Sequence, residues 1–119
     1  MLSRTKTRIE KLTSLAGHPV KVLCFEGEID GNSKESILGA YQSLPKQTTL
    51  LILLDFTGVD SINSSGVALI IQLLIESSNS GQKVALYGLS PHYAKVFSIV
   101  GITKFTDIYS TQAEALASL

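Results

Sequence analysis

The sequence predicts an α/β domain: a single small mixed sheet, mostly parallel with an N-terminal hairpin edge, packed with about four helices. Two observations carry that prediction. Short β-type runs alternate with stretches of helical periodicity, giving the order β-β-α-β-α-β-α-(β)-α, which calls for parallel strands joined by right-handed crossovers. Leu50 to Leu54 is also apolar without alternation, as befits a central strand covered on both faces. At 119 residues and 45% hydrophobic, the chain has the size and composition of one globular domain, taken as residues 1–119.

The elements follow in order. Residues 4–14, with Thr5, Thr7, Ile9 and Thr13 between charges, suit a half-exposed strand. Ala16-Gly17-His18-Pro19 marks a turn, and Val20 to Phe25 is the second strand, forming a hairpin with the first. Gly27 to Ser33 ends it. Asn32 or Ser33 is the expected N-cap of a helix whose apolar stripe is Ile37, Leu38, Tyr41 and Leu44, stopped by Pro45. After the central strand comes a polar turn, which carries Asn63-Ser64-Ser65-Gly66 at the mouth of the next helix. A helix from about Ser64 to Ser78 follows, apolar nearly all round and closed by Asn79-Ser80-Gly81. Lys83 to Tyr87 is a buried strand. Ser90 caps the next helix with Pro91 at its first position, and Ala94, Val96, Phe97 and Val100 point inward. Phe105 to Tyr109 is extended. Ser110 or Thr111 caps a last helix with Ala113, Leu116 and Ala117 inside.

Composition excludes several functions. Ten basic residues balance ten acidic ones, without the basic excess of a general nucleic-acid binder. The basic start (Arg4, Lys6, Arg8 and Lys11 against Glu10) reads as a solvated edge. The single cysteine, Cys24, lies between Leu23 and Phe25 and is expected in the core, with no disulfide and no zinc spacing. No apolar run approaches the roughly 18 residues of a membrane span, and no signal peptide opens the chain, so a cytoplasmic protein without membrane insertion is expected.

Catalytic and cofactor patterns are weak. His18 and His92 read as surface residues, neither near a nucleophile in sequence. Asn63-Ser64-Ser65-Gly66 is not a G-x-S-x-G elbow, and phosphate-loop glycine patterns are missing. No catalytic residue, cofactor or metal ligand is therefore assigned. Glu28, Asp30, Asp55 and Asp60 fall at or just past strand ends, where capping and solvation explain them better than a metal site. Ser64 stands at a helix N-terminus. Its hydroxyl could cap free N–H groups, or it could accept a phosphate that the helix dipole would tolerate. The residues alone leave both open. Gly66 would let a partner approach the helix start closely.

Four pieces in order resemble the STAS domain family, which includes anti-sigma factor antagonists and sulfate-transporter tails. They are Gly27-Glu28-Ile29-Asp30, Leu54 to Val59, Ile62 to Val67, and Gly101 to Phe105 with Ile108-Tyr109. The resemblance implies the STAS fold and an anti-sigma factor antagonist. Such a protein binds an anti-sigma factor that is also a serine kinase, frees a sigma factor, and is reset by a serine phosphatase. It places phosphorylation on Ser64, with Ser65 second. Asp30, Asp60, Asn63, Ser64, Ser65 and Gly66 then form the partner edge. Asn63 stands where the commonest motif has Asp; it keeps the size and the capping ability and loses the charge. The alternative is a constitutive subunit of a larger assembly, such as a transport ATPase or a stress-signalling scaffold. The oligomeric state is left open.

Overall fold

The computed structural model describes residues 4–119. Five strands lie in the order β1-β2-β3-β4-β5. β1 (Thr5–Thr13) and β2 (Pro19–Ile29) form the predicted antiparallel hairpin, running from Thr5 opposite Gly27 to Thr13 opposite Pro19. β3 (Leu51–Ile62), β4 (Lys83–Tyr87) and β5 (Ile108–Tyr109) add parallel, each in sequence order. The helices are α1 (Lys34–Gln42), α2 (Ser64–Asn79), α3 (Pro91–Ile99) and the short α4 (Gln112–Ala117).

The two faces of the sheet are covered unequally. Ile52, Leu54 and Phe56 of β3, with Leu23 and Phe25 of β2, meet α1, α2 and α3 in the main core. Phe56 packs edge-on between Phe25 (5.3 Å) and Phe97 of α3 (5.7 Å), an arrangement favoured by the ring quadrupoles. Val20, Val22 and Cys24 alternate to the other face, where Leu53, Ala85 and Ala115 of α4 close a smaller cluster. Cys24 is buried as expected, and burial pushes its thiol up to about 11.

Several boundaries differ from the sequence expectation. β2 continues to Ile29, and β3 continues through the supposed polar turn to Ile62. Register shifts between Cys24 and Glu26 and between Gly27 and Glu28 let the two strands stay paired despite their polar residues. Gly27, at φ 88°, sits at one of these irregularities, where a side chain would strike the Arg4 carbonyl. Ser33 stands at the N-cap position of α1, one of the two residues expected there, but without a side-chain cap bond; the capping bonds belong to Asp30, which precedes it. Its carboxylate accepts from Asn32 N–H at 2.8 Å, and Ser33 Oγ accepts from Asp30 N–H at 2.9 Å, a capping box on a single 3₁₀ turn that precedes α1.

Other corrections concern which side chains face in. Val100 is exposed, because α3 ends at Ile99 and Gly101 turns the chain away at φ 89°. Of the extended piece expected from Phe105 to Tyr109, Ile108 and Tyr109 form the strand, whereas Phe105 closes a 3₁₀ turn over residues 102–104 and is exposed. In α4 Ala115 is the buried residue, whereas Ala113 and Ala117 are exposed. Leu50 lies just outside β3 and is exposed.

Candidate functional site

β3 and β2 end side by side, with Ile62 opposite Ile29. The Asn63 N–H donates to the Ile29 carbonyl at 3.1 Å, so the turn into α2 is fastened to the end of β2. Asn63 is extended, and its side-chain Oδ1 accepts from Gly66 N–H at 2.9 Å. The cap of α2 is therefore Asn63 and not Ser64. Ser64 is the first helical residue, and its side chain is exposed. Gly66 is buried, and a β-carbon there would stand 2.4 Å from the Ile29 carbonyl oxygen. The absent side chain serves packing of α2 against β2 inside the chain, not the approach of a partner that the sequence suggested.

Ser65 is exposed and lies against the loop after β2, with its Cβ 3.6 Å from where a β-carbon on Gly31 would stand. Ser64 instead lines a groove of about 420 Å³ between α2 and α3, shared with Asn63, Val67, Ile71, Tyr93 and Val96. His92 lines the same groove. Sequence reasoning missed it, because Ser64 and His92 come to line one groove only when α2 and α3 pack together; Ser90-Pro91, which starts α3, is the signal that places His92 in that helix's first turn.

The acidic residues do not converge. Glu28 is ion-paired to Arg4 at 3.4 Å, and Asp30 is held by its cap. Asp55 accepts from the Thr57 N–H at 2.8 Å and the Thr57 hydroxyl at 2.7 Å. Asp60, exposed near the end of β3, is five residues further along, roughly 16 Å at strand spacing. Among the described residues no cluster of His, Cys, Asp and Glu could hold a metal ion. The loop after β2 is braced from below. The Thr5 hydroxyl donates to the Glu28 carbonyl and is bonded to Ser33 Oγ, and Thr7 Oγ1 meets Ser36 of α1 at 3.0 Å. Of the residues predicted for the partner edge, the turn 63–66 and Asp30 come together through Ile29 and Gly31, and Asp60 is exposed near the end of β3, three residues before Asn63.

The family model for the STAS domain matches residues 13–115. The chain belongs to the STAS domain family. No curated protein sequence matches it. Among solved structures it is similar to an anti-sigma factor antagonist from Mycobacterium paratuberculosis: TM-score 0.79, 18% identity, covering 96% of this chain and 92% of that one. It is also similar to the phosphorylated form of the Bacillus cell fate determinant SpoIIAA: TM-score 0.69, 24% identity, covering 94% and 97%. A third is the STAS domain of a SulP transporter from Vibrio cholerae: TM-score 0.68, 19% identity, covering 83% and 77%. Likeness at these identities establishes the fold.

Proposed function

We propose that this STAS domain is a phosphorylation-switched binding module of the anti-sigma factor antagonist type, working in the cytoplasm. One observation carries the reading: Asn63 caps α2, so the Ser64 hydroxyl is left exposed beside an apolar groove. A phosphate there would carry a charge of about −1.5 to −2 and would sit at the positive end of α2. The fold tolerates it. A partner whose apolar side chains fill the groove meets a dianion at its rim, and repulsion and desolvation weaken the contact. In its unphosphorylated form the module binds an anti-sigma factor that is also a serine kinase, and a serine phosphatase restores that form. Ser65, turned toward Gly31, is the second acceptor.

Incubation with serine kinases of its own cell and ATP, with mapping by mass spectrometry, is expected to place one phosphate on Ser64. Ser64→Glu is expected to weaken binding to that kinase by roughly tenfold to a thousandfold. No phosphate on Ser64, together with unaltered kinase binding by Ser64→Glu, rejects the switch. A second reading, a constitutive subunit of a larger assembly such as a transport ATPase, draws on the apolar side chains these two helices leave exposed, Ile75 of α2 and Ile99 of α3. It predicts co-purification with transporter subunits that Ser64 substitutions do not disturb.

A further inference from the structure

β1 is the edge of the sheet. Among the described residues β1 pairs with β2 as its one neighbouring strand, and from Lys6 to Thr13 its outer side carries no ladder. Long free edges are templates for further pairing, and natural proteins commonly blunt them with charge. β1 carries such charges, yet its middle residue is Ile9, 41% exposed, flanked by Arg8 and Glu10. That sequence is self-complementary.

When a second copy pairs its own β1 antiparallel with this one, the two are related by a two-fold axis, which brings some residue opposite itself. Each centre can be judged by the pairs it makes. Centring on Thr7 opposes Lys6 to Arg8. Centring on Arg8, Glu10 or Lys11 opposes each of these charges to its own copy. Centring on Ile9 brings Ile9 against Ile9 and sets Arg8 opposite the other copy's Glu10, twice by symmetry. Thr7 then faces Lys11 and Lys6 faces Leu12. Among these centres only the last opposes no like charges, and cross-strand pairs of opposite charge and of β-branched residues are the stabilising kinds.

Within one chain Arg8 already reaches Glu10 at 3.0 Å and Glu26 at 2.9 Å on one face of the strand. The second copy would complete a square of alternating charges there, with the paired isoleucines on the opposite face. We infer that the free edge of β1 is a homodimer interface, in which two copies pair antiparallel about Ile9 and merge their sheets into one. The two-fold reverses strand direction, so the two Ser64 turns lie at opposite ends of the merged sheet and both stay open. The contact is narrow and the association correspondingly weak, in the micromolar range.

Sedimentation velocity from about 1 µM to about 1 mM tests it. The full chain is expected to move from 12.8 kDa toward twice that mass as concentration rises. Ile9→Lys, at an exposed position outside the core, should remain a monomer with unchanged melting temperature. Arg8→Glu should weaken the dimer roughly tenfold or more, and adding Glu10→Arg should recover most of the loss. A monomer at every concentration, a dimer indifferent to Ile9→Lys, or a double variant no better than Arg8→Glu overturns the inference. Should Arg8→Glu fail to fold beside Glu26, the Ile9→Lys result decides alone.

Discussion

Asn63 is the residue on which the candidate site turns. Its side chain takes the cap that a serine could have taken, and the consequence is chemical: Ser64 keeps an uncommitted hydroxyl on an exposed first turn. Asn63→Ala removes the acceptor for Gly66 N–H and is expected to cost about 1 kcal/mol by chemical denaturation. Asn63→Asp restores the charge that the commonest form of the motif carries. It should hold or raise stability by about 0.3–1 kcal/mol, because a carboxylate complements the start of α2. Loss of stability in Asn63→Asp comparable to that in Asn63→Ala would show that the side chain is not acting as a cap. The sequence singled out this turn. It left the cap ambiguous because Asn and Ser are both good caps, and only the extended backbone at Asn63 separates them.

At the scale of elements, the sequence was informative where periodicity is strong. β4 runs from Lys83 to Tyr87, α2 begins at Ser64 and α3 starts behind Ser90 with Pro91, all as read from the residues. It was less informative where a strand carries polar residues. The stretch Asp55-Phe56-Thr57-Gly58-Val59-Asp60 has turn composition, yet it continues β3, because the neighbouring β2 offers a paired ladder and shifts its register to keep it. Propensity yields there to tertiary pairing. The same pairing explains the tight join between α2 and β2. Gly66→Ala would push a methyl group to 2.4 Å from the Ile29 carbonyl oxygen, so the helix must withdraw from the strand. A loss of about 1–3 kcal/mol in urea unfolding is expected, together with changed exchange of the Asn63 amide that is bonded to Ile29. An alanine variant as stable as the parent would mean that α2 can shift without cost and that the turn is not fixed by this contact.

For the molecule as a whole, the buried ionisable groups set how it responds to alkali. Cys24 lies in the smaller cluster, and burial raises its thiol from 9.0 to about 11. Tyr87 in the same cluster and Tyr41 on the buried face of α1 are raised for the same reason, the loss of water around the charged form. Each of these groups folds in its neutral state. Well below pH 9 the thiol is neutral in both folded and unfolded chains, and its contribution to stability is constant. As pH rises from about 9 to about 11 the unfolded chain gives up the proton first, so the unfolded state is favoured and stability falls. Melting temperature should thus be flat on the neutral side and decline through this window. Cys24→Ala should flatten the upper part of the decline, at the expense of a small cavity under α4. Thiol labelling of the native chain at pH 8 should be slow and should accelerate together with global unfolding, because the sheet must open before a reagent reaches a side chain packed among Val22, Leu53 and Ala115. Fast labelling without unfolding would mean that α4 detaches on its own, leaving the thinner face of the sheet to open independently of the main core.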